Sequence, residues 1–247
     1  MENSTPTSIS LKQSRVVVAG GTSGIGFAVA DAAARAGAEV IIASSRPERV
    51  AAALERLPHG VRGESLDFTD EEQVRAFFAR VGTLDHFVYT AGESLLLQPL
   101  AELRIDDAQR AFEVRYWGAL KSVKYAAPLI RAGGSITLTS GVASSRPLPG
   151  WAIPSSILGA IESLTRTLAV ELAPLRVNAV APGVLRTALW DNMSEADRAG
   201  LYEHIAAKMP VRRIGEASDV AQTYLYLMQQ GFSTGQVIVV DGGHILV

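Results

Sequence analysis

The stretch RVVVAGGTSGIGFAVADAAAR, residues 15 to 35, passes from a β-branched apolar run through a glycine-rich turn into a segment of small apolar residues with helical spacing. A run such as Arg15–Ala19 makes a strand buried on both faces of a parallel sheet. The turn Gly20-Gly-Thr22-Ser23-Gly24-Ile25-Gly26 then opens a helix, and a dinucleotide pyrophosphate needs this arrangement: backbone N–H groups at a helix N-terminus, with no side chains in the way. Gly20, Gly24 and Gly26 give close approach, and Thr22, Ser23 and Ile25 supply the rest of the turn. Alone, the motif is also compatible with a merely structural turn.

Outward from this unit the pattern repeats. Strands are expected near residues 15–20, 39–43, 61–66, 84–89, 134–139, 175–180 and 236–240, with helical segments between them. Such alternation gives an α/β fold: a doubly wound, Rossmann-type sheet of seven parallel strands covered on both faces, with ligands beyond the carboxyl ends of the strands. The 247 residues contain no Pro/Ser-rich linker or charge run, so residues 13–247 are expected to form one domain after a polar tail, residues 1–12.

Composition narrows the function classes. A formal net charge of −2 gives no reason to expect nucleic acid or an anionic membrane as partner. Zero cysteines exclude disulfides, thiol nucleophiles and Cys-ligated zinc. The histidines, at 59, 86, 204 and 244, lack ligand spacing, so no metal is expected. The first ten residues lack the apolar core of a signal peptide, and no apolar run reaches membrane-spanning length, so a soluble, cytoplasmic protein is expected.

The order and wording of later segments resemble the short-chain dehydrogenase/reductase family from about residue 12 to residue 243. Its glycine turn is Thr-Gly-x-x-x-Gly-x-Gly; here Ala19 stands in the Thr place and all three glycines are kept. Leu66-Asp67-Phe68 resembles the adenine-contacting segment after the third strand. Tyr89-Thr-Ala91-Gly92 stands where the family has Asn-Asn-Ala-Gly, and Arg176-Val-Asn-Ala-Val-Ala-Pro182-Gly183 is similar to the strand and turn beside the nicotinamide. Thr187 falls where a family Thr contacts the cofactor, and Gly235–Gly243 is similar to the last strand. The resemblance implies a nicotinamide cofactor and a homodimer or homotetramer. The end of the second strand, Ser44-Ser45-Arg46, has no carboxylate to hold a ribose diol and offers hydroxyl donors and a cation. That suits the 2′-phosphate of NADP(H), although Arg46 before Pro47 is also readable as a solvated arginine.

The same resemblance locates what is missing. The segment Leu164–Leu172 is similar to the family helix that follows Tyr-x-x-x-Lys, and counting back from Thr165 puts the Tyr at Pro154 and the Lys at Leu158. The Ser position falls at Gly141, with Ser140 one place away, and the helical Asn maps to Arg115. In the family the Tyr moves the proton at the substrate oxygen, an assistance typically worth about 10²–10⁴ in rate, so ordinary carbonyl reduction is expected to be poor. Hydride added to a ketone makes an alkoxide that needs a proton, whereas hydride added to an iminium makes a neutral amine that needs none.

Arg146-Pro-Leu-Pro-Gly-Trp151 resembles a segment of an unusual branch of the family, the fungal bifunctional reductase/Diels–Alderases, with Leu148 in the place of an Asp. Three readings stay open: reduction of an activated, iminium-like or bulky apolar substrate; a cyclisation or isomerisation guided by the pocket; and a cofactor-binding sensor or partner subunit without catalysis. Arg115 is the candidate cation for substrate charge, against a structural role in place of the Asn. Ser140 is a hydrogen-bond donor or the end of a strand. Trp151 is a pocket wall or core. Leu95–Leu97, Leu148, Trp190 and Met193 are expected around the same mouth, and together they call for an apolar organic substrate.

Overall fold

The computed structural model describes residues 11–191 and 193–247. Seven parallel strands form one sheet in the order β3-β2-β1-β4-β5-β6-β9: β1 (Arg15–Ala19), β2 (Glu39–Ser44), β3 (Arg62–Ser65), β4 (Leu84–Tyr89), β5 (Ile130–Thr139), β6 (Arg176–Pro182) and β9 (Val237–Val240). The short strands β7 (Leu185–Arg186) and β8 (Gly215–Glu216) pair separately beyond the sheet. The strand order reverses between β1 and β4, and it is at such a switch point that doubly wound sheets bind ligands.

Side chains alternate across the strands as the two-residue period requires. Val17, Ala19, Phe87 and Tyr89 point into one core layer, which is closed by α3 (Glu71–Val81), α5 (Ala119–Ala126) and α6 (Ala152–Glu171). Val16, Val18 and Val88 point into the other, closed by α1 (Gly24–Arg35), α2 (Pro47–Leu54) and α8 (Ala217–Gln229). The small residues of α1, Gly26, Val29, Ala30 and Ala33, are buried. The folded unit begins slightly before the expected residue 13, because Leu11 is buried in the second layer; residues 1–10 of the expected tail lie outside the described residues. Strand β5 starts at Ile130, earlier than expected. None of the described helices is long and apolar enough to cross a membrane.

Between β4 and β5 the chain forms α4 (Ile105–Phe112), then a stretch of π-type turns over Glu113–Gly118, then α5. Such wide turns often occur at functional sites. This one is held from beneath: the buried Tyr89 donates its hydroxyl hydrogen to the carbonyl of Val114. Gly118 is needed there, since a Cβ on it would stand 2.4 Å from the Tyr89 hydroxyl. The helix α7 (Glu195–Lys208) lies outside the sheet and packs its Tyr202 with Trp190, Met209 and Ile214 in a third apolar cluster.

Candidate active site

The glycine turn after β1 is shaped by lack of room. A Cβ on Gly20 would lie 2.6 Å from the Ala91 nitrogen, and one on Gly26 would lie 2.3 Å from the Gly20 carbonyl and 2.4 Å from Thr90 Oγ1. Thr90, at the end of β4, is itself fixed by donating to the Ala19 carbonyl at 2.8 Å. Gly24 has a left-handed φ of +52° and faces Thr187 across the cleft, 3.7 Å from where its Cβ would be. Ser23 precedes α1 without capping it through its side chain, so the N–H groups of the first turn remain available to an anion, favoured there also by the helix dipole. This backbone cradle fits a dinucleotide pyrophosphate.

The neighbouring strand ends complete that half. Thr22 Oγ1 donates to Ser44 Oγ at 3.2 Å. Ser45 and Arg46 are exposed, and Arg46 makes no ion pair among the described residues. Asp67 is exposed and accepts from the N–H and hydroxyl of Thr69, both at 2.8 Å, in a tight turn. Phe68 turns inward from Asp67. Its ring is 4% exposed and packs edge-on against Tyr89 at 5.4 Å, so its side chain belongs to the core and only its backbone remains for a ligand. Ala91 and Gly92 follow β4 beside Gly20, and Pro182 and Gly183 end β6. Gly183 lies so close to Asp241 that a Cβ there would stand 2.8 Å from its Cα.

The other half of the cleft holds a cavity of about 210 Å³ lined by Leu95, Leu96, Val114, Arg115, Ile153, Pro154, Ile157 and Leu158, with Glu93, Asp107 and Arg110 among its polar members. Pro154 sits in the first turn of α6, where its missing N–H interrupts no helical bond. Leu158, four residues on and therefore on the same helix face, reaches Gly141, where a Cβ would meet Leu158 Cδ1 at 3.2 Å. The three positions at which the resemblance expects Ser, Tyr and Lys thus come together, and they carry Gly141, Pro154 and Leu158, none with a proton to exchange.

Arg115 lies on the π-type turn, half-buried over Gly92, and donates to the main-chain carbonyl of Glu93. Burial pulls its guanidinium below its ordinary value, but an arginine in this range stays a cation. Tyr89, whose hydroxyl supports this wall at Val114, is no substitute acid. Burial pushes its hydroxyl pKa up strongly, and its proton is held by Val114. Asp107 is paired with Arg110 and, at 3.7 Å, with Arg104. The carboxylate of Glu93, at the rim, makes no ion pair among the described residues.

Two sequence-derived candidates fall outside this cavity. Ser140 is 5% exposed, and its hydroxyl is engaged by Glu162 Oε1 at 2.9 Å and the Leu158 carbonyl at 3.3 Å; Glu162 also accepts from Ser144 at 2.5 Å. Ser140 therefore lies behind the cavity wall, its hydroxyl engaged within the protein. Trp151 packs with Leu95 and Met193 onto the cluster of Trp190 and Tyr202, so it walls that cluster and not the cavity. Trp190 is core, its indole N–H held by the Leu185 carbonyl at 3.1 Å. Sequence reasoning does not single out Glu162 or Thr90, nor the support Tyr89 gives to the Arg115 turn; Tyr89 and Thr90 both lie inside a recognised segment, Glu162 outside one.

Comparison with known proteins agrees with this geometry. A family model described as enoyl-(acyl carrier protein) reductase matches residues 19–244. Short-chain dehydrogenase/reductase ucsE of Acremonium sp is 38% identical over 98% of this chain and 99% of its own. The chain belongs to the short-chain dehydrogenase/reductase family. It is an oxidoreductase-type member, of a family whose cofactor is a nicotinamide dinucleotide. Among solved structures, the MalC Reductase/Diels-Alderase from Malbranchea aurantiaca is 32% identical with a TM-score of 0.89, covering 96% of this chain and 98% of that one. A small-chain dehydrogenase in complex with NADPH is 35% identical with a TM-score of 0.82, covering 96% of this chain and 100% of that one.

Proposed function

We propose that the chain is an NADP(H)-dependent reductase that works without the family's proton relay, on a substrate whose electrophilic carbon is already activated, as in an iminium. The observation that carries this reading is that Pro154 and Leu158 in the cavity wall, with Gly141 packed behind Leu158, converge where acid–base groups are expected. NADPH, when bound, supplies hydride. The residues of this chain do the rest by position. Gly20, Thr22, Ser23, Gly24, Ile25 and Gly26 hold the pyrophosphate, Ser44, Ser45 and Arg46 face the 2′-phosphate, Asp67 and the Phe68 backbone border the adenine, and Ala91, Gly92, Pro182, Gly183 and Thr187 border the nicotinamide end. Arg115 presents fixed N–H donors to electron-rich substrate atoms, while the leucines and isoleucines of the cavity exclude water from the reacting carbon.

The test is a paired assay of purified protein with NADPH against a ketone and a cyclic iminium, following NADPH oxidation and product mass. Iminium turnover without ketone turnover supports the reading; robust ketone reduction at rates ordinary for the family overturns it. A second reading, a pocket-guided cyclisation, is favoured by the likeness to a protein described as a reductase and Diels–Alderase. It predicts product from a reactive diene with no NADPH consumed. The proposed assembly is a homodimer or homotetramer, supported by unpartnered apolar surface away from the cleft: a groove of about 880 Å³ by Trp117, Leu120, Leu168 and Leu172, and Phe232, 96% exposed, near the open edge of β9. Sedimentation of the cofactor-loaded protein tests it.

A further inference from the structure

The cavity beside Arg115 holds about 210 Å³, below the roughly 300 Å³ at which sites for drug-sized ligands begin. It has room for a small reacting head. Its wall, however, continues outside it. Leu95 and Leu96 line the cavity, whereas the next apolar residues of the same loop, Leu97 and Leu100, are 42% and 76% exposed. The loop before α6 brings up Leu148, 54% exposed, between the exposed prolines Pro147 and Pro149. The two loops are tied together: the Gln98 N–H donates to the Gly150 carbonyl at 3.0 Å, and a Cβ on Gly150 would stand 3.6 Å from the Gln98 main chain. Leucines exposed singly are unremarkable in a folded protein, but Leu97, Leu100 and Leu148 all lie within two residues of the Gln98–Gly150 tie between the two loops, and exposed apolar residues concentrated in this way suit a binding surface.

We propose that this rim is the outer half of the substrate site: the substrate joins a small electrophilic head, held in the cavity, to a large apolar body laid across Leu97, Leu100 and Leu148. The nature of the head rests on the reductase reading above; the apolar body does not. Two observations favour substrate over another macromolecule as the occupant. The rim is continuous with the cavity wall through Leu95-Leu96-Leu97, and three leucines expose on the order of 300 Å², well short of the ~800 Å² per partner of a stable protein interface.

The experiment uses the NADP⁺-loaded full chain and two probes, N-methyl- and N-octyl-3,4-dihydroisoquinolinium, with affinities measured by calorimetry and turnover with NADPH measured separately. Half-burial of the seven added methylenes, at ~0.8 kcal/mol for each one fully buried, makes the octyl probe about 100-fold tighter than the methyl probe. In L97S/L100S/L148S that ratio is expected to fall below about tenfold, with methyl-probe and NADPH affinities unchanged. An unchanged ratio in the variant overturns the proposal, as does failure of the octyl probe to bind. A shift in sedimentation coefficient caused by the three substitutions overturns it too, because the rim is then a subunit interface. Chain-length-dependent binding without NADPH oxidation leaves the rim standing and sinks the iminium reading; reduction of both probes at equal KM does the reverse.

Discussion

The glycine turn after β1 and the first turns of α6 stand at the same edge of one sheet, yet they have diverged to opposite degrees. At the turn, function resides in backbone N–H groups and in the absence of Cβ atoms, so each retained glycine is enforced by its neighbours: Gly20 by Ala91, Gly26 by Gly20 and Thr90. At α6, function in the family resides in side-chain chemistry, and the backbone tolerates its replacement. Pro154 fits a first helical turn, and Leu158 fills the space beside Gly141. On the function proposed above, the cleft keeps its cofactor half and loses its proton-transfer half without losing the fold.

The largest expected effect breaks the first side of that comparison. Gly26→Val places side-chain atoms where even a Cβ stands 2.3 Å from a carbonyl, and NADPH binding should be lost in a fluorescence titration, with a clear drop in Tm. Gly24→Ala, whose Cβ meets nothing closer than 3.7 Å, pays only the left-handed backbone penalty of about 1–2 kcal/mol and should weaken NADPH by no more than about tenfold. Equal losses in the two variants would contradict the claim that close packing sets this half.

The second side is tested by restoration. G141S/P154Y/L158K returns the three expected groups to positions the structure brings together, and ketone reduction should rise by about 10²-fold or more if proton transfer is what the wild type lacks. No gain, in a variant that still binds NADPH, would place the defect in substrate orientation and point to the Arg115 turn. A smaller change probes the cofactor assignment. Arg46 is exposed and makes no ion pair among the described residues, and a charge-assisted bond to the 2′-phosphate is worth about 1.5–3 kcal/mol, so Arg46→Glu should weaken NADPH at least about tenfold while leaving NADH within twofold.

How far these two halves were legible differs for a physical reason. Strand positions follow from local period, and β1, β4 and β6 lie where the apolar runs put them. The glycine turn is likewise contiguous in sequence, and its backbone is packed too closely for side chains at Gly20 and Gly26. The catalytic wall depends on contacts that no local rule carries. Ser140 is claimed by Glu162 from a helix 22 residues later, and Trp151 and Trp190 turn toward α7 rather than the cavity. Phe68 follows an exposed Asp67 but points inward, as alternation requires. The π-type turn that aims Arg115 has no distinctive composition; its support, Tyr89, is 25 residues away in sequence.

If the cavity lacks a titrating catalytic acid, acid inactivation must come from elsewhere, and His86 is the clearest source. It is buried on β4 with Nδ1 2.9 Å from Ser135 Oγ, and desolvation lowers its pKa from 6.5 to about 4. The unfolded chain takes up a proton below pH 6.5 that the folded chain refuses until about pH 4, so stability falls as pH drops through that window and no further below it. The shift corresponds to about 3 kcal/mol. Activity and Tm should decline together between pH 6.5 and 4, and His86→Asn should flatten the Tm profile. A fall in activity while Tm holds would instead reveal a titrating group in the cleft.

The smallest expected effect is the sharpest for mechanism. Glu93 is the cavity's one carboxylate without an ion pair among the described residues, and its backbone, not its side chain, holds Arg115. If the substrate arrives activated and its product needs no proton, Glu93→Gln should change iminium turnover by less than about twofold, since removing general acid–base catalysis would cost about 10²–10⁴. NADPH affinity should also hold. A loss of a hundredfold or more, with KM unchanged, would show that the chain had moved its proton donor from α6 to the loop after β4. The two halves of the cleft would then differ in where the acid sits, and the absence at Pro154 and Leu158 would be a relocation.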